Sequence, residues 1–463
     1  MRQLMRRTRK PSARRFHARV VGAIASLALI GPPASAQTTQ PFDPTALDLA
    51  WTATMRDPLN PVPVVSSDVV YVTDGFLDDT AVYAFPVSCG TGGAACERLW
   101  RGRTGATPSA PVVVDGVVYV GSGAYLNLPL LLAFPVSCRK DGRWCAPLWQ
   151  GIGNGPLVVT DGIVYSAANS HQEGESSVGP RLYAYDVSCG TGGELCEPRW
   201  FADLESDVTR MTSEAGMIVA TTGHPEGSII YAFSTACDVV DGRCEPAWTA
   251  VVPGYFGELI VADGFVYVLG ETGVFAFPSS CGTGAATCLP EWVGTTPRPM
   301  FSGELASSDG LVYVSNGQRL LAFPVGCGSG GAPCPPTWKA GRGLGLGFFA
   351  SDPVAGGGVV VVGGSQLFAF ESNCGSNGDT CAPAWVSQPP TRFHYSSPKT
   401  ISGGFVLLGW GRRLRAFPMN CGTQGEICLP VWGRSVGRAE FSPPVVAEGS
   451  VYYMSDRLYA FQP

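Results

Sequence analysis

Charge is scarce in this chain: of 463 residues, 15% are charged, with 4 histidines and only four lysines, Lys10, Lys140, Lys339 and Lys399. Four histidines beside 16 cysteines argue against a zinc protein, and the four lysines read as compositional bias. No apolar run reaches the ~20 residues of a membrane-spanning helix. No two cysteines are adjacent, and no glycine-rich segment is followed by the Lys-Ser/Thr that completes a phosphate-binding loop. What is plentiful is Gly (60) and Pro (38), about 21% of the chain together, where ~12% is usual. That excess excludes a mostly helical protein, because both residues break helices. The 45% apolar content excludes disorder. Length alone would suggest about three domains at ~150 residues each.

The N-terminus reads as an address. Residues 2–19 hold eight Arg and Lys and no acid, Val20 to Ile30 is an apolar run of 11, and Ala34-Ser35-Ala36 follows two prolines. A basic region, a short apolar region and an A-x-A site describe a cleaved secretion signal over residues 1–36. Arg14-Arg15-Phe16 allows a twin-arginine variant, and no Cys at the cleavage point indicates lipid attachment. Residues 37–46 then form a short linker. The whole chain carries −6 and residues 1–36 carry +8, so their removal leaves −14. An acidic mature chain excludes nucleic acid, which demands a basic footprint, and disfavours anionic lipid surfaces. The chain is expected to be exported, to an extracellular, cell-surface or periplasmic location, as a monomer without a membrane span.

A repeat then fills residues 47–463. The dipeptide Ala-aromatic recurs nine times, from Ala84-Phe85 to Ala460-Phe461. Eight copies are followed by Cys-x6-Cys, the first cysteines being spaced 49, 51, 48, 44, 46, 47 and 47 residues apart, and a Trp stands four residues after each second Cys. Val/Ile/Tyr runs favour strands. Asp115-Gly116, Asp161-Gly162, Asp263-Gly264 and Asp309-Gly310 separate such runs as two-residue hairpin turns. Each unit therefore supplies strands A and B around the turn, strand C through Ala-aromatic, and strand D at the Trp. Four short strands per ~47 residues predict an all-β protein, a single β-propeller of four-stranded blades. The last unit lacks strand D, and Leu47 to Trp51 offers it, which would close the ring and hide its edges. This count gives nine blades; eight with a stray half-unit is the alternative.

The succession Pro-x-Val-x-Asp-Gly-x-Val-Tyr-Val, Leu-x-Ala-aromatic, Gly turn and Trp resembles the pyrroloquinoline-quinone-like (PQQ-like) β-propeller repeat. That superfamily includes quinoprotein alcohol dehydrogenases and BamB-type propellers. The resemblance implies the fold and leaves two functions open: a binding scaffold, or an oxidoreductase holding PQQ and calcium in its central channel. The quinoprotein enzymes use acidic and amide calcium ligands and a catalytic Asp, and many carry an adjacent-cysteine disulfide. No calcium trio maps onto this chain, and a Pro-x-Ser-Cys-Gly-Thr-Gly-Gly type loop replaces the short C–D turn of the family.

In an oxidising compartment paired cysteines form disulfides. The fixed spacing favours each pair closing its own C–D hairpin: Cys89–Cys96, Cys138–Cys145, Cys189–Cys196, Cys237–Cys244, Cys281–Cys288, Cys327–Cys334, Cys374–Cys381 and Cys421–Cys428. An 8-residue loop so closed removes about 2.5 kcal/mol of unfolded-chain entropy, before strain. Metal binding wants closer cysteine spacing or neighbouring histidines, and His171, His224 and His394 lie beside no pair.

In a propeller the A–B turns and C–D loops share one end and the B–C and D–A loops share the other. The second end varies between units. The B–C loop of the third unit, Ser166 to Pro180, holds His171, Glu173 and Glu175. The D–A connections hold Tyr255, Phe256, Phe301, Phe348, Phe393, His394, Tyr395 and Phe441, with Arg298, Arg392 and Arg438 nearby. Loops carry function more often than scaffolds do. An aromatic and Arg ring suits a protein or glycan partner, while packing between blades is the plainer use of the same residues. Asp74, Asp78 and Asp79 form one acidic turn of the kind that binds calcium. No Ser-His-Asp set or other catalytic residues can be assigned, although propellers do carry hydrolases and lyases. The expectation is a non-enzymatic binding or scaffold module without a cofactor, the PQQ–calcium enzyme being the alternative.

Overall fold

The computed structural model describes residues 42–55, 62–75, 80–125, 128–138, 144–169, 179–224, 227–254, 258–296, 303–316, 318–341, 352–364, 366–388, 398–410, 412–437 and 442–463. Residues 1–41, with the signal and half of the linker, lie outside them, as do Asp78 and Asp79.

Nine sheets follow one another along the chain, so the repeat count of nine holds and the eight-bladed alternative falls. Blade 5 is representative, with strand A at Leu259–Ala262, B at Phe265–Gly270, C at Gly273–Pro278 and D at Trp292–Thr295, each antiparallel to the next. Blade 9 is composite. Its strands Val445–Ala447, Ser450–Met454 and Arg457–Gln462 are joined by Asp48–Thr54, which pairs antiparallel with Arg457–Gln462. Among the described residues the only helical element is the 3₁₀ turn Pro44–Ala46, and no helix is long and apolar enough to cross a membrane.

The A–B turns all take the same mirror-image form. Both central residues have positive φ at Asp115-Gly116 (49° and 79°) and at the other Asp-Gly pairs. Ala215-Gly216, Gly357-Gly358, Gly403-Gly404, Glu448-Gly449 and even Ser67-Asp68 (50° and 61°) adopt it too. Its twist matches that of the flanking strands, so the geometry is imposed where the residues do not favour it.

The Ala-aromatic dipeptide has a packing explanation. Each Ala faces the blade's own Trp across strands C and D, as in Ala84 opposite Trp100 and Ala276 opposite Trp292. On its other side it faces a strand-B residue, Tyr71 or Tyr267 in those blades. The two rings lean toward each other over the small residue, their centroids 6.0 Å and 5.9 Å apart. The next residue points to the opposite side of the sheet, where it meets the Trp of the preceding blade. All nine such contacts occur, from Trp51–Phe85 (6.2 Å) and Trp100–Phe134 (6.1 Å) through Trp385–Phe417 (6.3 Å) to Trp432–Phe461 (5.3 Å). Two residues after the Trp, strand D carries a small side chain in every blade but blade 8, which has Arg434: a Cβ at Gly102 would come within 2.5 Å of the Phe134 ring.

The sixteen cysteines form the eight expected pairs, one in each C–D hairpin of blades 1–8, with Cα atoms 5.5–6.0 Å apart. The sequence reading stopped at the hairpin itself. In the structure each clasp also reaches back to the preceding blade. Ala94–Ala95 pairs parallel with Trp51 and Thr52, Glu194–Leu195 with Trp149 and Gln150, and Glu426–Cys428 with Trp385–Ser387. The clasp is thus a fifth strand on its neighbour's outer edge. Blade 4 makes the same contact as a single bridge, Arg243 to Phe201. Seven of the nine Trp residues then donate their Nε1–H to a carbonyl just ahead of the next clasp, among them Trp51 to Val87 (2.8 Å), Trp292 to Val325 (2.9 Å) and Trp385 to Met419 (2.7 Å).

Blade 8 has no following clasp, because blade 9 is made from the two ends of the chain. The N-terminal segment takes that place. Leu47 offers its carbonyl to Trp432 Nε1 (3.0 Å) and to Arg434 (2.6 Å), Arg434 pairs with Asp48 (2.7 Å), and the ring of Phe42 packs edge-on against Phe405. Phe42, read from sequence as linker, is therefore part of the packed structure.

Two predictions follow from these contacts. Trp385→Phe keeps a ring against Phe417 but leaves the Met419 carbonyl unpaired, costing about 1–3 kcal/mol. Trp385→Ala costs about 3–5 kcal/mol, both read from urea unfolding of the oxidised protein. Deleting residues 42–54 exposes the edge of Arg457–Gln462 and strips Trp432 of its acceptor. The expected outcome is loss of a cooperative thermal transition, seen by calorimetry.

Candidate functional site

Strands A of neighbouring blades contact one another around the ring and form its inner layer. Their N-terminal ends lie where the D–A connections arrive. In blades 4 to 8 these ends carry charge. Arg210 lies in Val208–Glu214, Glu258 precedes Leu259–Ala262, Glu304 opens Glu304–Ser308, Asp352 precedes Val354–Gly356, and Lys399 opens Lys399–Ser402.

The backbone places these groups deliberately. Strand A of blade 4 is irregular between Val208 and Arg210, a bulge-type shift that re-aims the side chain. Asn169, at the end of strand B of blade 3, anchors that start: its side chain bonds both the N–H and the C=O of Val208, at 2.9 and 3.0 Å. Arg210 then meets Glu258 of the next blade with two contacts to Oε2, 2.8 Å from Nη2 and 3.1 Å from Nε. Glu258 is 4% exposed and Lys399 6% exposed, while Arg210, Glu304 and Asp352 are partly exposed, so the array has two buried members and three that reach the surface of the site.

Burial is the first influence on three of the groups. It raises Glu258, and the Arg210 charge works against that rise. Glu304 is pushed up to about 9, by burial first and then by the charges of Glu258 and Asp352. The Glu304 carboxyl hydrogen-bonds to Glu258, in the sense that puts the proton on Glu304 and the negative charge on Glu258. Lys399 is brought down to about 8 by burial, against the favourable charges of Asp352 and Glu304. Two carboxyls in contact beside one guanidinium cannot both ionise cheaply, which is the pattern of a shared proton.

All eleven residues read from sequence as the binding face lie outside the described residues: His171, Tyr255, Phe256, Arg298, Phe301, Phe348, Arg392, His394, Tyr395, Arg438 and Phe441. In the chain, however, they run directly into the charged positions: Tyr255 and Phe256 stand just before Glu258, and Phe301 before Glu304. Asp74, taken as a possible calcium ligand, is 3% exposed. Among the described residues no three of His, Cys, Asp and Glu gather in a metal-holding arrangement.

The sequence reading missed the charged array entirely and set Lys399 aside as composition. A signal existed. Arg210, Glu258, Glu304 and Asp352 each stand five residues ahead of the first turn residue of their A–B hairpin, in four consecutive units. At that register the other five units have Val62, Ala110, Pro156, Pro398 and Pro443.

No known family and no curated protein matches the sequence. Among solved structures the chain is similar to BamB from Moraxella catarrhalis, at 13% identity over 90% of this chain and 100% of that one, with a TM-score of 0.46. It is similar to Sqt1 from Saccharomyces cerevisiae at 10% identity, covering 81% and 94%, with a TM-score of 0.45. It is also similar to AztD from Citrobacter koseri at 9% identity, covering 81% and 96%, with a TM-score of 0.45.

Removing one partner of a buried pair strands the other. Arg210→Met should therefore destabilise by about 3–5 kcal/mol, and Arg210→Met with Glu258→Leu should recover most of the loss. Denaturant unfolding of the two variants checks this.

Proposed function

We propose that the chain is an exported, non-enzymatic binding module that engages a protein or glycan partner through its D–A and B–C loops. What supports the reading most is the unlikeness of the two ends of the ring. At the A–B and C–D end every A–B turn has one conformation, and each clasp is occupied in covering its neighbour. The residue after strand C is tied to the A–B turn carbonyl, as Val136 N–H to Gly116 (3.0 Å) and Val325 N–H to Gly310 (3.0 Å). That end is consumed by the scaffold. The other end has connections that differ in length and composition, rich in aromatic and Arg residues, above the fixed charged array. Aromatic and Arg side chains are the usual anchors of protein interfaces, and aromatic faces with nearby carboxylates also suit a sugar ring.

Export is supported by the disulfides: all sixteen cysteines are paired, a usage that belongs to oxidising compartments. No described constellation favours a catalytic reading.

The test is capture. The third unit's strand B runs to Ala168, beyond the Ser166 at which its loop was expected to start, so the replacement is confined to residues 170–178. A short Gly-Ser link there, together with Phe393→Ala, His394→Ala and Tyr395→Ala, should abolish binding on a glycan array and crosslinking to cell-surface protein from the exporting cell. Leu289→Ser, on the exposed side of a clasp, should leave both unchanged. Unaltered capture by the loop variant, with its melting temperature intact, would overturn the choice of face.

A further inference from the structure

We propose that Glu304 and Glu258 share one proton that locks the inner ends of blades 4 to 8 together, and that removing it loosens this arc of the ring. The proposal stands on placement. Five consecutive blades contribute one ionisable side chain each: Arg210, Glu258, Glu304, Asp352 and Lys399. The network therefore crosses four blade interfaces at the inner end of the ring. The disulfide clasps serve the outer edges of the blades, so the inner end relies on strand-A packing and on these side chains.

The order of the groups makes the proton decisive. With it, the array reads plus, minus, neutral, minus, plus, and sums to zero. Without it, three carboxylates lie around Arg210 and Lys399, and at least one negative charge is left uncompensated beside the buried Glu258. Unbalanced buried charge is relieved by protonation or by opening to water. Among the described residues the charged groups that act on Glu304 all belong to the array: Glu258 and Asp352 hold its proton on, and Arg210 opposes them. Lys399 is the flanking cation.

The linkage has a definite sign. Glu304 is raised from 4.5 to about 9 in the fold. Its stabilising contribution is complete below pH 4.5 and is lost as pH rises through about 9. Lys399 runs the other way: its folded value of about 8 lies below 10.5, so its contribution is present above pH 10.5 and lost as pH falls through about 8. The two residues can therefore be separated by substitution.

Glu304→Gln keeps a donor toward Glu258 without the titration. The melting temperature of the unaltered protein should fall between pH 5 and pH 7.5, below the range in which Lys399 titrates, while that of Glu304→Gln stays level across the same window and lies higher at pH 7.5. Infrared spectroscopy gives a direct reading that does not depend on the variant folding. A protonated-carboxyl C=O band should persist in the unaltered protein at pH 7, far above the range of ordinary carboxylic acids, and disappear on titration above pH 9. Absence of that band at pH 7, or the same pH profile in Glu304→Gln, would overturn the proposal. Neither measurement involves a partner, so failure here is distinct from failure of the binding reading.

Discussion

The strand-D tryptophan is wedged between two blades, its face against the aromatic of the following blade and its ring nitrogen on that blade's carbonyl. Trp292 shows the whole arrangement: Ala276 beneath it, Tyr267 beside it, Phe323 across the interface at 6.1 Å and the Val325 carbonyl at 2.9 Å. A large amphipathic ring of this kind supplies both apolar burial and one fixed direction. The direction matters in a ring of repeats, because each blade must be set at a constant angle to the last. The small residues follow from it. Ala stands where the indole lies over its own blade, and a small residue where the next aromatic lies over strand D, as Gly294 does under Phe323; blade 8 departs with Arg434, and its Trp432 meets Phe461 edge-on. What looks like a loose alternation of small and aromatic residues in the sequence is one interlocking contact repeated around the ring.

The clasps solve a different problem. A blade ends in strand D, whose outer backbone groups would otherwise template pairing with another chain. Covering that edge with two or three residues of the next blade's hairpin uses few bonds, and a flexible eight-residue loop would not hold them. The disulfide makes the coverage affordable by limiting the freedom of the open loop. The second cysteine is itself buried against the neighbouring blade, as Cys244 is beside Trp200 and Cys428 beside Trp385. Each disulfide therefore acts on an interface as well as on a hairpin. Where the chain ends leave no hairpin to donate, Leu47 supplies the carbonyl that a clasp would have supplied.

The fold was legible because its determinants are local or strictly periodic. Asp115-Gly116 states a turn within two residues, and Cys-x6-Cys states a loop within eight. The destination of the clasp was not legible, since the pairing of Cys428 with Ser387 joins residues 41 apart and has no spacing rule. The charged array was legible in principle. Glu258 and Glu304 look like ordinary surface acids until their register is counted from the turn rather than from the cysteines, and only burial shows that they face inward.

That register also bears on what the ring is for. A repeat protein that answered only to packing would place the same kind of residue at equivalent points, as this one does with Trp, Ala and the turn. Five units obey that expectation at the start of strand A, with Val62, Ala110, Pro156, Pro398 and Pro443. The four successive units between them do not, and Lys399, one residue after Pro398, extends the departure into blade 8. Buried ionisable groups weaken a scaffold unless they are fully matched, so a packing demand would have removed them. Their confinement to one contiguous arc, at the end of the ring where the variable loops enter, marks that side as specialised. A partner approaching there would meet a ring that is rigid at its clasped edge, and a mouth whose charge depends on a single proton.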